Sequence, residues 1–378
     1  MNWVFDDAHF FRNKSTKTFE RVKFLASQAR RVLLTSATPL QKSPTDFHSL
    51  LEVLGVTNTT VGSETAYLNR YVRWHWQAIR ARRGKEIHVR KIDSWIEEKQ
   101  SELKELTKPF YIKRTYDDVG MEIPSLTVCP VYLDLLPDQR KIYLQSKKDM
   151  LVVWDKGERS LIKNSGFHSM MKSLDSIRLL DETKPDTSIK YDMVETLVGN
   201  IMQDATEDKV IIFSFYVATV KYLSARLEKM GLRRSETIGS DDMETIGYTT
   251  IKGEDSGDDK ERARREFQEN PKCRVLIGTT TIEQAINLQK ARHLIMVDLL
   301  FNPQRIVQLV GRMRRIGSVH QVCYLHVLLA QGTVEETLWK RNHYEARLTD
   351  KLFDEKSDVF TEPTVEELIA MIRDEGKE

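Results

Sequence analysis

Four short runs govern the second half of the chain: DKVIIFSF (Asp208 to Phe215), CRVLIGT (Cys273 to Thr279), RHLIMVD (Arg292 to Asp298) and QVCYLHVLL (Gln321 to Leu329). Each is apolar nearly throughout, so neither face is made for water. Strands buried on both faces belong to parallel sheets covered by helices. Helix-length stretches separate the runs. Val217 to Met230 carries a helical pattern that Gly231 ends, and Tyr248 to Ile251 adds another strand. Thr333, with Glu336 three residues on, forms a capping box that opens a further helix.

The first 60 residues repeat this alternation in shorter form. Trp3 to Asp6 ends a strand, Phe19, Val22, Leu25, Ala26 and Ala29 share a helical face, and RVLLTSATP (Arg31 to Pro39) is a strand entering a loop. Ser43, Pro44 and Gly55 punctuate a helix over Asp46 to Leu54. Between the two α/β regions lie a basic, Trp-containing stretch from Leu68 to Lys108 and a polar stretch from Pro137 to Asp186; both are expected to be helical insertions or hinge material. A chain of 378 residues accommodates two domains at roughly 150 residues each.

The 58 Lys and Arg against 56 Asp and Glu leave a net charge of +2, so a nucleic-acid partner must be sought in local patches. Cys129, Cys273 and Cys323 are too widely spaced for a metal pair, and an odd count gives no disulfide framework, which points to a reducing compartment. No run approaches the about 20 apolar residues of a membrane span, and no secretory leader or anchor is expected.

Two constellations carry chemistry. In MNWVFDDAH, Asp6 and Asp7 follow an apolar run, where doubly wound sheets place their ligands. Such a pair either holds Mg²⁺ and orients an attacking water or is a solvated surface loop. In QLVGRMRRIG, Gln308, Arg312 and Arg315 are spaced by four and three residues, so they share one helix face. Two guanidiniums there either clamp a γ-phosphate or form a basic solvated face.

Taken together, order and spacing resemble the Swi/Snf family of helicase-like superfamily-two DNA-dependent ATPases. FDDAH resembles its DEAH-type motif, LLTSATPLQ its third motif, VIIFSF its fourth, and IGTTTIEQAINLQKARHLIMVDLLFNPQRIVQLVGRMRRIG its fifth and sixth. PFYIKRT, IPSLT and LPDQRKIY look like the inter-lobe stretch. The resemblance spans roughly residues 1 to 345 and implies two RecA-like α/β lobes with parallel sheets, using ATP and Mg²⁺ on double-stranded DNA. It further implies that Asp6 holds Mg²⁺, that Asp7 stands for the catalytic glutamate, and that His9 couples the ATP site to the second lobe. Thr35, Ser36 and Thr38 would transmit nucleotide state. Ser214 would touch nucleic acid, Thr279 and Asn287 the nucleic-acid backbone or the lobe interface, and Gln308, Gly311, Arg312 and Arg315 would complete the ATP site. Arg73, Arg82 and Arg83, interleaved with Trp74 and Trp76, either dock on phosphates or form a solvated helix with the tryptophans in the core, and base stacking on the tryptophans is less favoured.

Three departures stand out. No G-x-x-x-x-G-K-[ST] phosphate loop occurs, so the first lobe is expected to be truncated and the chain inactive as an ATPase alone. Asp7 replaces a glutamate. In the fifth motif, Thr281, Ile282, Glu283 and Ala285 replace consecutive glycines. The expected organisation is a partial first lobe over 1–125, an inter-lobe linker and helical protrusion over 126–190, a whole second lobe over 191–345, and an acidic tail over 346–378 with a docking helix at TVEELIAMI. The missing loop would come from a longer chain or a separate polypeptide. The alternatives are an ATP-independent DNA- or protein-binding module, and an RNA-helicase remnant that PFYIKRT and RRIG argue against. A nuclear location follows if the source is eukaryotic.

Overall fold

The computed structural model describes residues 1–36, 44–80, 86–112, 120, 122–156, 166–204, 207–239, 242, 245–283, 287–300, 303–341 and 365–374. They fall into two compact units, one within Met1–Thr115 and one comprising the described residues beyond it.

In the first unit, β1 (Asn2–Phe5) and β2 (Arg31–Leu34) pair in parallel, with Val4 opposite Leu33. Between them α1 (Lys17–Ser27) is capped by Thr16, whose side chain accepts from the Phe19 amide. Its expected face is only partly realised: Phe19 and Ala26 are buried, while Leu25 is exposed. Next come α2 (Pro44–Val53) and α3 (Glu64–Tyr71), and Gly55 takes the positive φ (73°) that lets the chain turn after α2. Ser43 lies outside the described residues.

The basic stretch expected to be helical folds otherwise. Val72–Arg80 (β3) and Glu86–Trp95 (β4) form an antiparallel hairpin, followed by α4 (Glu97–Thr107). The reason is legible in Val72-Arg73-Trp74-His75-Trp76: bulky and charged residues alternate with period two, which suits a strand and not a helix.

The second unit is a seven-stranded, all-parallel sheet of β5 (Ser125–Leu133), β6 (Lys209–Phe213), β7 (Arg233–Arg234), β8 (Gly247–Ile251), β9 (Cys273–Gly278), β10 (Ala291–Met296) and β11 (Val322–Ala330), in the order β5-β11-β10-β6-β9-β8-β7. Successive residues feed opposite cores: Ile211 and Phe213 enter one cluster with Leu276, Leu294 and Met296, while Val210 and Ile212 enter another with Val275, Ile277 and Ile295. Two-sided burial is what the unbroken apolar runs require.

Residues 126–133, read as the start of the inter-lobe linker, instead belong to β5, which pairs in register with β11 as the edge strand. Helices α5 (Pro137–Asp155), α6 (Phe167–Asp175) and α7 (Ile189–Asp204) follow, then α8 (Val217–Lys229), α9 (Gly257–Glu269), α10 (Pro303–Met313) and α11 (Val334–Arg341). The tail helix α12 (Val365–Asp374) docks on its own unit, burying Ile369 and Ile372 in a cluster that includes Leu338 and Trp339. No helix among the described residues is long and apolar enough to cross a membrane.

Candidate functional site

The first unit gathers its polar residues where β1 and β2 end. The Thr35 amide donates to the Phe5 carbonyl (2.9 Å) and the Ala8 amide to the Thr35 carbonyl (2.9 Å), fastening the two strand ends together. The Thr35 hydroxyl donates to Asp6 Oδ1, which also accepts from the Asp7 amide at 3.0 Å. Asp7 holds φ 51° and ψ 46°, the one positive φ outside glycine among the described residues, and leads into a short 3₁₀ turn at Ala8–Phe11. Aspartate tolerates this left-handed conformation better than most residues, though at a cost of about 1 kcal/mol. Asp6, Asp7 and Thr35 thus meet, with half-buried Ser36 next in sequence. His9 is in the turn, but its side chain lies outside the described residues, as does all of Thr38.

The second unit's site lies at the carboxyl ends of β6, β9 and β10. Helix α10 presents Arg305, Gln308 and Arg312 along one stripe, but it ends at Met313, so Arg315, expected on the same helix face, lies in the turn beyond it. Arg305 grips the Glu283 carboxylate with two parallel bonds, Nε to Oε2 (2.8 Å) and Nη2 to Oε1 (2.7 Å). Arg312 Nε donates to the Glu283 carbonyl (3.0 Å), Arg315 Nη1 donates to Asn287 Oδ1, and the Leu288 amide donates to the Arg312 carbonyl (2.9 Å). The loop after β9 is therefore stitched to α10 and to the turn that follows it. Burial pushes the Glu283 carboxyl above its ordinary value, against the pull of Arg305.

Gln308 is half-buried, and Gly311 is exposed in mid-helix. A Cβ at Gly311 would meet nothing within 4 Å, so packing inside this unit gives no reason for a residue that costs about 1 kcal/mol in a helix relative to alanine.

Two expected nucleic-acid contacts are placed elsewhere. Ser214 is fully buried, its hydroxyl accepting from the Tyr216 amide (3.1 Å), and Thr279 is buried likewise, because both cap strand ends beneath the loops that follow. Asn287 is exposed, as is Arg73 on β3, whereas Arg82 and Arg83 lie outside the described residues.

Sequence reasoning missed the Glu283–Arg305 pair, although the replacement of glycine at 283 was a signal. It also missed Asp298, which accepts from the Phe215 amide (2.6 Å) and so fixes the loop after β6. The buried trio of Lys190, Asp175 and Glu335 left no trace in local sequence; Lys190 Nζ reaches Asp175 Oδ1 at 2.9 Å, Glu335 Oε1 at 2.7 Å and the Val297 carbonyl at 2.8 Å.

A parallel sheet with an arginine helix tied to the loop beyond a central strand is the second lobe of a helicase-like RecA pair, and residues 189–317 match the Helicase conserved C-terminal domain. Residues 1–184 match the SNF2-related domain. The chain belongs to the Swi/Snf family of helicase-like superfamily-two ATPases and has its fold of two RecA-like lobes. It is 25% identical to the Uncharacterized ATP-dependent helicase YqhH of Bacillus subtilis, covering 95% of this chain and 60% of that protein. It is 24% identical to Chromodomain-helicase-DNA-binding protein 1-like of Mus musculus over 92% of this chain and 36% of that protein. With DNA repair and recombination protein RAD54-like of Danio rerio the figures are 23%, 94% and 49%. The chain thus spans between about a third and three fifths of these relatives. In fold it resembles a Sulfolobus solfataricus SWI2/SNF2 ATPase core in complex with dsDNA, with a TM-score of 0.50 at 22% identity over 98% of this chain and 72% of that one. These similarities lend no support to a separate polypeptide carrying the phosphate loop.

Proposed function

We propose that this chain forms the part of an ATP-dependent double-stranded-DNA translocase, of the chromatin-remodelling or DNA-repair kind, that carries its catalytic acids and its arginine helix. The observation that carries this reading is the stitching of α10 to the loop after β9. It fixes Arg312 at Nε and Arg315 at Nη1, which is the preorganisation a phosphoryl-transfer site requires of groups that meet developing charge. The relatives named as a helicase and as a DNA repair protein, and the Sulfolobus core in complex with dsDNA, point the same way.

Asp6 suits Mg²⁺ in the manner typical of nucleotide enzymes, where one or two carboxylates act beside phosphate oxygens and water. Its Oδ1 is oriented by Thr35 and the Asp7 amide, and no group of three or more ligating residues among those described offers an all-protein cage. When bound, Mg²⁺ would neutralise charge on the transferred phosphoryl group. Asp7, held in its left-handed conformation, would orient the attacking water, and the open side of Gly311 would leave room for a ligand to approach the helix backbone. In a eukaryotic cell this work is nuclear.

Because no G-x-x-x-x-G-K-[ST] occurs in these 378 residues, the chain by itself is expected to bind duplex DNA without hydrolysing ATP. A second reading, an ATP-independent DNA- or protein-binding module, is favoured by Ile282 and Glu283 where the family has glycines. The deciding assay measures ATP turnover by the purified chain with and without duplex DNA, with Arg312→Ala as control, alongside duplex binding at rising salt. Salt-sensitive binding without turnover supports the proposal. DNA-stimulated turnover lost in Arg312→Ala would overturn the expected inactivity, and absence of DNA binding would overturn the proposal itself.

A further inference from the structure

The β3–β4 hairpin belongs to none of the family motifs above, yet it is strongly basic and carries an exposed tryptophan. From Arg70 to Lys91 the sequence RYVRWHWQAIRARRGKEIHVRK holds eight Arg and Lys against one Glu, in a chain whose net charge is only +2. The two tryptophans on β3 have different fates. Trp74 is half-buried against the cluster of Tyr67, Leu68 and Tyr71, and its Nε1 donates to Asn69 Oδ1 at 3.1 Å. Trp76, two residues on and so on the same face of the strand, is 57% exposed.

Trp76 is nonetheless held rigidly. Arg90 is its direct cross-strand partner, with the guanidinium 5.6 Å from the Trp76 ring and 4.8 Å from the Trp74 ring. The two indoles meet edge to face at 5.6 Å. Glu64 lies 3.8 Å from Arg90 and balances its charge, but Glu64 is also engaged by Lys14 at 2.8 Å. Arg73, next to a register shift in the hairpin, is exposed and makes no ion pair among the described residues. An isolated exposed aromatic residue needs no explanation. One that is splinted by a cross-strand arginine, within a stretch so rich in positive charge, has the parts of a stacking platform in a field that attracts phosphate.

We infer that this hairpin is a further nucleic-acid site, for DNA with unpaired bases: Trp76 stacks on an exposed base while the positive charge of the hairpin, including exposed Arg73 on the other face of β3, attracts the phosphate backbone. This rests on the proposed DNA function and refines it, because it gives the chain a preference for single-stranded or forked DNA over plain duplex. The charge of the hairpin selects a polyanion, and the flat, open face of Trp76 selects one with an accessible base.

The test measures binding of the whole chain to single-stranded, forked and fully paired DNA by fluorescence anisotropy, for the wild type and for Trp76→Ala, Trp76→Phe and Arg73→Ala. Loss of one base stack is expected to weaken Trp76→Ala on single-stranded and forked DNA by about 5-fold to 150-fold, with little change on duplex. Trp76→Phe should retain most of the affinity, which a mere loss of fold would not allow. Arg73→Ala should weaken all three and lower the log–log salt slope by about 1. Equal losses on all three DNAs in Trp76→Ala would overturn stacking. Unchanged binding in every hairpin variant, with wild-type duplex binding intact, would overturn the inference and leave the hairpin to solvent or a protein. A wild-type chain that binds no DNA would instead overturn the parent reading.

Discussion

Replacing Lys190 by methionine removes a charge while nearly conserving volume, and the second unit supplies the magnitude. Lys190, Asp175 and Glu335 are each fully buried, and the ammonium uses all three of its hydrogens on Asp175, Glu335 and the Val297 carbonyl. Burial pulls the lysine down, but Asp175 and Glu335 outweigh it and hold Lys190 above its ordinary value, so it stays charged. Asp175 is pushed well above the usual carboxyl range by burial and then by neighbouring Asp298, with Lys190 opposing. Breaking one side of a buried pair costs about 3–5 kcal/mol, because the remaining charge has no partner. A group whose folded pKa is raised contributes stability at low pH that is lost as pH rises, and removing Lys190 raises Asp175 further. Lys190→Met should therefore lose about 3–5 kcal/mol at pH 7.5 and distinctly less at pH 5. In urea, followed by circular dichroism, the midpoint should fall by roughly 1–2 M. Hydrogen exchange of β6 and β10 amides would assign the loss to this unit. A change below about 1 kcal/mol, or a penalty that does not vary with pH, would refute the reasoning.

Gly278→Ala places a Cβ 2.5 Å from Ile282 Cγ2, so overpacking of about 1–3 kcal/mol should lower the unfolding midpoint; an unchanged midpoint would mean that Ile282 moves aside freely. His326 is pushed down to about 4 by burial and by His293, whose Nδ1 lies 3.1 Å away. A histidine depressed in this way contributes stability present above about pH 6.5 and lost as pH falls toward 4, so His326→Asn should flatten the acid limb of a stability–pH curve. Glu283→Ala strands Arg305 and loosens the loop that Arg312 holds. Amide exchange at Leu288 should quicken about tenfold or more, in line with a loss of about 1–3 kcal/mol, and Glu283→Ala combined with Arg305→Ala should recover part of it.

How much of this was legible depended on which physical signal the residues leave. β6, β9 and β10 were plain because two-sided burial forbids polar residues in the middle of the strand. β5 was not: Ser125-Leu126-Thr127-Val128-Cys129-Pro130 alternates, and its proline is tolerated because an edge strand has one unpaired side. The hairpin was obscured by its own charge, since a run of arginines reads as a solvated helix unless the period of two is weighed first. Asp6 and Thr35 could be linked through motif order, but Lys190 reaches partners 15 and 145 residues away, and no local pattern encodes such a meeting.

The fifth motif shows how a departure from family pattern is absorbed. Where the family resemblance leads one to expect glycines, a side chain at 282 or 283 needs space and, for a carboxylate, a partner. The space for Ile282 comes from Gly278 at the end of β9: its missing Cβ would lie 2.5 Å from Ile282 Cγ2, so the isoleucine fills the hollow a glycine leaves one turn earlier. The partner for Glu283 is Arg305, at the start of α10, with two short bonds to one carboxylate. Neither change is tolerable alone, since a larger residue at 278 clashes and an unpartnered carboxylate at 283 is buried without compensation. Together they exchange a loop whose glycines allow close approach of a ligand for one braced at both ends, and the brace grips the side chain of the same residue whose backbone carbonyl accepts from Arg312. Rigidity of the loop and placement of the arginine are thus one structural property in this chain, and a substitution that restores glycine at 283 should loosen both at once.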